Sequence, residues 1–361
     1  MSTSPAAQAK ADELRARFVK SGATVVETSV LQPAKALLDL YGEDMRARAY
    51  VTSDPLRGEQ MLRPDFTVPV VQMHMETGGN PACYTYSGKV FRRQESDRSR
   101  PNEYLQVGLE LFQTDHPEDA DAKVFSTIFQ ALEGRGLRAA TGDIGILTSA
   151  VSGLHTTERR KTALMRHIWR PKRFRALIDR FSGRAEVSVS RAKLLSADNP
   201  ISGDVPLIGL RSHSEIAERI EALREDAAAP PISAEEVSNL DALLSVSDHA
   251  DDALKTLQEI ARDMPAVQPA VERLELRLNA LSQAGVDVAA LDFEASYGRT
   301  QMEYYDGFVF GFYAENRPEL SPIASGGRYD ALTRQLGQGQ ETPAVGGVVR
   351  PDLLLELEGA T

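Results

Sequence analysis

Two β-type runs joined by a polar, arginine-rich loop occupy residues 84–113, and this stretch constrains the fold most strongly. In the second run, apolar side chains alternate with a set that includes an amide and a carboxylate. The apolar set is Leu105, Val107, Leu109 and Leu111, and the other set is Tyr104, Gln106, Gly108, Glu110 and Phe112. Because successive side chains of a strand point to opposite faces of a sheet, this alternation predicts a strand whose leucine face lies on a core.

The second face of this strand predicts a binding pocket. Gln106 and Glu110 lie roughly 13 Å apart along the strand at a rise of about 3.3 Å per residue, which is compatible with the floor of a pocket for a small polar molecule. Arg92 ends the preceding run and is placed to face the same pocket. The arginines of the loop, taken alone, are equally compatible with a solvent-exposed hairpin that has a charged tip.

The charge balance disfavours a dedicated nucleic-acid-binding protein. The 361 residues include 41 Lys+Arg and 52 Asp+Glu, which gives a formal net charge of −11, whereas binding along a phosphate backbone requires a surplus of basic side chains. The one cysteine, Cys83, excludes an intrachain disulfide and is typical of the reducing cytoplasm. We expect a cytoplasmic protein without a signal peptide or a membrane span, because no run reaches about 18 apolar residues. The six histidines show no metal-ligand spacing, so we expect no metal site.

The chain divides by its pattern into three parts. Strand-like patterns dominate the first and last parts, including a predicted strand at residues 140–147. Charged helical patterns dominate between them. We therefore predict an α+β fold in which residues 1–152 and 285–361 build one antiparallel sheet flanked by helices, and residues 153–284 form a helical insertion.

The hairpin resembles the motif 2 hairpin of class II aminoacyl-tRNA synthetases, and that of the histidyl enzyme in particular. The family pattern is Phe-Arg, a charged loop and then Gln-x-Gly-x-Glu-x-Phe. Here Phe91 and Arg92 precede the loop, and the segment from Gln106 to Phe112 follows it. Further matches in order and spacing extend the resemblance over about the whole chain, which implies the class II synthetase fold.

The resemblance implies a pocket for histidine. Asp65 and Thr67 lie in a segment similar to Leu-Arg-Pro-Glu-x-Thr, whose acidic residue and threonine contact the α-amino group, and helix capping is the alternative for both residues. Tyr305 matches the tyrosine that reaches the imidazole, and Tyr329 follows a Gly-Gly-Arg match as a second pocket tyrosine. The implied histidine-binding residues are Asp65, Thr67, Arg92, Gln106, Glu110, Tyr305 and Tyr329.

Two phosphate-binding arginines of the family are replaced. The arginine that meets the ATP α-phosphate falls on Thr300, and the one on the γ-phosphate side falls on Leu353, although Arg299 and Arg350 lie nearby. Loss of one such group typically costs on the order of a hundredfold or more in rate. We therefore expect the chain to bind an amino acid without activating it, and to have no catalytic residue. We also expect it to lack the C-terminal anticodon-binding domain of the family and to bind no tRNA.

This profile resembles the synthetase-like regulatory subunits of ATP phosphoribosyltransferase. The resemblance implies a non-catalytic subunit that is required for the first step of histidine biosynthesis and for feedback regulation of that step by histidine. It also implies that the subunit has no cofactor and does not contact a membrane. The implied partner is the short-form catalytic subunit, a glycosyltransferase, in a hetero-oligomer that contains a homodimer of this chain. The alternative is a synthetase-like ligase that activates histidine with ATP, which an arginine reaching the ATP phosphates would favour.

Overall fold

A computed structural model describes residues 4–34, 46–94, 100–198, 200, 209–299 and 303–359. The described α-helices are α1 Pro5–Lys20, α2 Thr67–Thr77, α3 Pro117–Ala131, α4 Ile144–Gly153, α5 Glu158–Arg166, α6 Pro171–Phe181, α7 Val189–Ser196, α8 His213–Ala228, α9 Ala234–Ser245, α10 Ala250–Asp263, α11 Gln268–Gln283, α12 Asp330–Leu336 and α13 Pro351–Leu357. The described strands are β1 Thr24–Val25, β2 Leu31–Pro33, β3 Val51–Asp54, β4 Gly58–Leu62, β5 Ala82–Phe91, β6 Glu103–Phe112, β7 Leu137–Asp143, β8 Ser247–His249, β9 Asp292–Glu294, β10 Phe308–Ala314, β11 Ala324–Arg328 and β12 Ala344–Val349.

Nine of the described strands form one sheet in the order β1-β5-β6-β12-β11-β10-β7-β9-β8. The β1–β5 and β7–β9 pairs are parallel, and the other neighbours are antiparallel. Strands β2, β4 and β3 form a small second sheet. The main sheet joins the hairpin of β5 and β6 to strands β10 to β12, which follow the helical segment in the chain. The predicted fold, one mainly antiparallel sheet flanked by helices, is thus confirmed.

Strand β6 pairs with β5 along one edge and with β12 along the other, so both of its edges are hydrogen-bonded within the sheet. Its leucine face packs in a large core cluster with Phe18 of α1 and Phe125 of α3. Its opposite face carries Gln106 and Glu110, which are both buried. The alternation read from the sequence is therefore confirmed, and it places an amide and a carboxyl group inside the protein.

The chain between α4 and β9 is mainly helical and contains α5 to α11 with the short strand β8. Ser212 and Ser233 begin α8 and α9 with capping boxes, in which Glu215 and Glu236 complete the reciprocal hydrogen bonds. Helices α10 and α11 contribute to the same core cluster as the main sheet. The helical character follows the sequence pattern, whereas the division at residues 153 and 284 into separate units remains a prediction.

Residues 140–147 do not form the single strand expected from their pattern. Strand β7 ends at Asp143, and helix α4 begins at the next residue. The Asp143 carboxylate accepts a hydrogen bond of 2.7 Å from the Gly145 amide, which stabilises the helix start. A short buried apolar run does not distinguish strand from helix by its periodicity, and here the cap decides the outcome.

A buried network of ion pairs connects α3, α11, β7 and β11. Arg277 of α11 donates from Nε to Asp121 and from Nη1 to Asp143, each at 2.8 Å. Arg328, the last residue of β11, donates from Nη2 to Asp121 at 2.7 Å. All four side chains are buried, and mutual pairing with good geometry is what allows charges in such an environment. The network fixes α11 to the strand that ends immediately before Tyr329.

Candidate functional site

A buried glutamate forms the centre of the candidate site. Glu110 has no exposed surface and lies opposite Gly346 of β12. Its Oε1 accepts hydrogen bonds from the hydroxyl groups of Thr67 at 2.8 Å and Tyr86 at 2.7 Å, and its Oε2 accepts one from the Tyr329 hydroxyl at 2.5 Å. A carboxylate offers about four acceptor positions, so one remains for a further donor.

Burial dominates the ionisation of this carboxyl group. Removal from water raises the pKa of Glu110 from 4.5 to about 7; the three hydroxyl donors lower it, and the charge of Asp65 raises it. Burial, reinforced by Glu110, also raises the pKa of the Tyr86 and Tyr329 hydroxyls. Both tyrosines therefore keep their protons and act as donors, while the charge of the carboxyl group changes near neutral pH.

Two glycines make room for this arrangement. A Cβ atom on Gly346 would overlap Glu110 Oε2, and a Cβ atom on Gly108 would overlap the ring of Tyr86. Gly108 is the register partner of Tyr86 across β5 and β6, so the ring crosses the glycine and reaches Glu110. The glycine of the Gln-x-Gly-x-Glu segment thus has a steric explanation, because it provides the space for a tyrosine that donates to the glutamate.

Aromatic rings enclose the carboxyl group. Tyr304 lies edge-to-face with Tyr305, with ring centroids 5.0 Å apart, and with Tyr329, with ring centroids 6.1 Å apart. Phe66 stacks on Tyr86 at 4.3 Å. All five rings are buried. The pKa of Tyr305 is raised by burial and by the nearby acidic groups, so its hydroxyl is neutral and available for hydrogen bonding.

Two charged side chains interact with this aromatic group. Asp65 Oδ2 accepts from the Tyr304 hydroxyl at 3.4 Å, and Asp65 Oδ1 accepts from the Val68 amide in the first turn of α2. Arg92 Nε donates to the Pro64 carbonyl at 2.7 Å. The charge of Asp65 raises the pKa of Tyr305, whereas the charge of Arg92 lowers it. Both groups therefore lie within electrostatic range of the tyrosine, at the start of α2 and the end of β5.

Gln106 supplies a buried hydrogen-bond acceptor on the strand that contains Glu110. It lies on the same face of β6 as Glu110, and it is buried. Its Oε1 has no hydrogen-bond partner among the residues that the structure describes. Leaving such an acceptor without a donor costs about 1–3 kcal/mol. A ligand with N–H groups would remove that cost.

The structure groups the seven residues predicted to bind histidine around β6 and its neighbours, and their binding of histidine remains a proposal. Sequence reasoning missed three participants: Tyr86, Tyr304 and Gly346. A signal for Tyr86 was present, because a hairpin register that places a large ring opposite Gly108 creates a path across the sheet. The role of Gly346 depends on a pairing between distant segments, which local periodicity does not reveal.

Neither Leu353 nor Arg299 is directed at the pocket by its contacts. Leu353 lies on α13 and packs, half-buried, against the core. Arg299 Nε donates to the Ile168 carbonyl at 2.7 Å, and its guanidinium lies 4.9 Å from the Phe174 ring centroid. These contacts place Arg299 against the helical segment, while its buried Nη2 has no hydrogen-bond partner among the described residues. Thr300, the other position where the family has an arginine, lies outside the described residues.

Arg350 precedes α13 and lies over the ring of Tyr104, with its guanidinium carbon 5.4 Å from the ring centroid. Burial lowers the pKa of this guanidinium; Tyr104 raises it, and Arg92, Arg100 and Arg48 lower it. The charged end of the hairpin therefore gathers several arginines in one region.

The described part of the chain contains no helix that is long and apolar enough to cross a membrane. Within the same residues, no group of three or more histidine, cysteine, aspartate or glutamate side chains is arranged to hold a metal ion.

The nine-stranded sheet and the tyrosine-lined carboxyl pocket define a class II synthetase-like core. A sequence model described as histidyl-tRNA synthetase matches residues 3–206 and 212–354. A solved ATP phosphoribosyltransferase regulatory subunit/histidyl-tRNA synthetase from Bacillus halodurans aligns with a TM-score of 0.70 at 21% identity, covering 99% of this chain and 81% of that chain. A histidyl-tRNA synthetase from Nostoc sp. aligns with a TM-score of 0.65 at 18% identity, covering 98% and 72%.

Proteins of similar sequence indicate the family within this class to which the chain belongs. A protein of Rhizobium johnstonii is 30% identical over 370 residues, covering 93% of this chain and 94% of the relative. A protein of Brucella anthropi is 30% identical over 372 residues, covering 96% of each. Both are named ATP phosphoribosyltransferase regulatory subunit. The chain belongs to the ATP phosphoribosyltransferase regulatory subunit family, which confirms the resemblance read from the sequence.

Proposed function

We propose that this chain is the regulatory subunit of an ATP phosphoribosyltransferase, that it acts in the first step of histidine biosynthesis, and that histidine is its effector. In this proposal the chain performs no catalysis of its own. It activates a short-form catalytic subunit, a glycosyltransferase, in a cytoplasmic hetero-oligomer that contains a homodimer of this chain. Membership of the family supports the regulatory role, and the chemistry of the candidate site supports histidine.

One observation carries the histidine proposal: on the strand face that also carries the Glu110 carboxyl group, the buried amide oxygen of Gln106 has no donor among the described residues. The ammonium group of an amino acid fits Gln106 and Asp65, because both offer acceptors. An imidazole N–H fits the remaining acceptor position of Glu110, beside Tyr305. Arg92 is the group for the ligand carboxylate, because a guanidinium binds carboxylates with two parallel hydrogen bonds.

A pocket that performs no chemistry acts through linkage with another equilibrium. An effector shifts such an equilibrium only by its differential affinity for the two states, and the coupling is typically ~1–3 kcal/mol. In this proposal the coupled equilibrium is the activity of the catalytic subunit within the assembly. Histidine bound at Glu110 therefore stabilises the less active state by that amount.

The test is co-purification with a short-form catalytic subunit, followed by activity measurements against added histidine. Glu110→Ala removes the acceptor proposed for the imidazole N–H, so we expect histidine binding to weaken about tenfold or more while assembly persists. The matched control is Glu103→Ala, a glutamate on the same strand whose carboxylate pairs with Lys89 at the surface. The control should bind histidine and respond to it like the wild type.

Two outcomes contradict parts of the proposal separately. If the two chains fail to associate, the regulatory assignment is wrong. If they associate but Glu110→Ala is inhibited like the wild type, the assignment stands and the regulatory histidine binds elsewhere.

A second candidate function is a synthetase-like ligase that activates histidine with ATP. The observation in its favour is Arg350, which lies over Tyr104 near other arginines at the charged end of the hairpin. Histidine-dependent ATP–pyrophosphate exchange distinguishes the two candidates. We expect exchange at background level. Clear exchange that is lost in Arg350→Ala would establish the ligase and identify its phosphate-binding arginine.

A further inference from the structure

The helical segment contains a cavity of about 170 Å³ between α5, α6 and α8. Helix α8 lines it with positions 219, 222, 223 and 226, which follow the i, i+3, i+4, i+7 spacing of one helix face. Four arginines, one aspartate and an apolar wall that includes Phe181 surround the space. The cavity is therefore strongly charged and partly open to solvent, and none of its lining residues belongs to the Glu110 site.

One of these arginines forms the floor of the cavity. Arg160 is buried, and its Nε donates to Asp226 Oδ1 at 2.7 Å. Its Nη1 donates to the Pro230 carbonyl at 2.7 Å, and its Nη2 donates to the Asp226 carbonyl at 2.5 Å. The Asp226 carbonyl lies in the last turn of α8, and the Pro230 carbonyl follows the helix. Arg160 therefore caps the C-terminus of α8. All three donor nitrogens of Arg160 are used within the protein.

The arginines of the cavity outnumber its acidic group. Arg180 and Arg191 share one oxygen, Asp226 Oδ2, at 3.7 and 3.4 Å. Arg159 and Arg219 have no carboxylate within ion-pair distance among the described residues. Four lining arginines against one lining aspartate leave a local charge of +3, in a chain whose formal net charge is −11.

Two acidic residues of the same helices have ion-pair partners outside the cavity. Glu158 of α5 contacts Lys161 at 3.2 Å, and Glu221 of α8 contacts Arg224 at 3.4 Å. Burial lowers the pKa of the Arg180 guanidinium; Asp226 raises it, and Arg191 and Arg160 lower it. Repulsion between the guanidinium groups is thus present in the unliganded protein, and an anion among them would relieve it.

We propose that this cavity binds a phosphate group, either as a free inorganic anion or as the phosphoryl group of a small organic ester. Guanidinium groups match phosphate oxygens with paired, charge-assisted hydrogen bonds. The volume is roughly that of five to six water molecules, which suits one or two phosphoryl groups. Arg159, Arg180 and Arg219 hold the anion at the mouth of the cavity, above the floor formed by Arg160 and Asp226. The apolar wall at Phe181 is available for the carbon atoms of an ester.

The experiment is calorimetric titration of the full chain at constant ionic strength with inorganic phosphate, pyrophosphate and phenyl phosphate as probes. Arg180→Gln and Arg219→Gln each remove one charged partner, so each should weaken binding about tenfold. The matched control is Arg173→Gln, an exposed arginine of α6 that does not line the cavity. It should bind the probes like the wild type. Urea-induced unfolding of every variant verifies that the fold is intact.

The probes of this experiment distinguish an organic phosphate ester from a free inorganic anion as the ligand. Tighter binding of phenyl phosphate than of inorganic phosphate identifies an organic ester as the ligand, and tighter binding of the inorganic anions identifies a free phosphate or pyrophosphate. No saturable binding of any probe by the wild type overturns the proposal. Equal loss in Arg173→Gln also overturns it, because the effect would then reflect general surface charge.

Discussion

Replacing Glu110 with glutamine would separate the charge of the candidate site from its shape. Glutamine keeps Oε1 as the acceptor for Thr67 and Tyr86. Its amide nitrogen would face Tyr329, whose hydroxyl can accept as well as donate. Glu110→Gln therefore preserves the packing and the hydrogen-bonding partners while it removes the titratable proton.

The magnitude follows from the pKa of this carboxyl group. In the folded protein it is about 7, against an ordinary value of 4.5. Between these values the folded state binds a proton that the unfolded chain has released, so the free energy of unfolding falls as the pH rises. A pKa rise of this size corresponds to about 3 kcal/mol. The free energy of unfolding of Glu110→Gln does not fall in this way. The difference in that free energy between Glu110→Gln and the wild type should therefore shift in favour of the variant by about 3 kcal/mol between about pH 4.5 and pH 8.

The assay is urea-induced unfolding of both proteins at about pH 5 and about pH 8, analysed as the difference between them. Burial also raises the pKa of Asp306 to about 7. Because Asp306 is present in both proteins, the difference between them isolates the contribution of Glu110. Glu103→Gln, a half-buried position of the same strand, controls for the substitution itself. Parallel curves for wild type and Glu110→Gln would refute the reasoning. Histidine affinity should fall in the same variant, since the negative charge for the imidazole is gone.

Two further substitutions test the packing around the site and the buried ion pairs behind it. Gly346→Ala places a methyl group against Glu110 Oε2, so the carboxyl group must move and histidine affinity should fall about tenfold by calorimetry; an unchanged affinity would contradict the described approach of the two strands. Arg277→Met leaves two buried aspartates without this partner, so urea unfolding should show a loss of about 3–5 kcal/mol. A loss no larger than that of Arg273→Met, on the same helix but exposed, would argue against the network.

The strand β6 could be predicted in detail because its information is local. Alternating apolar residues specify which face is buried, and that face places Gln106 and Glu110 on the other side without further assumptions. The raised pKa of Glu110 could not be predicted from the local sequence. This pKa depends on complete burial, and the Tyr86 and Tyr329 hydroxyls that lower it again come from two other chain segments.

The segment 140–147 shows why local patterns also fail. Its branched apolar side chains are buried in either structure, so periodicity gives no preference. The Asp143 carboxylate ends the strand by accepting from Gly145 and starting a helix. The ion pairs of Arg277 were likewise not predicted, because each of its aspartates lies more than a hundred positions away in sequence. Contacts of that kind are specified by the assembled fold.

The last residue of β11 and the residue after it reach opposite sides of the main sheet. The Tyr329 hydroxyl contacts Glu110, while Arg328 contacts Asp121 and, through it, Arg277 of α11. One peptide unit therefore separates the pocket from a buried charge network. Opening that network would cost on the order of 3–5 kcal/mol, more than a typical coupling energy of about 1–3 kcal/mol. We therefore expect the strand end and α11 to remain joined when a ligand contacts Tyr329.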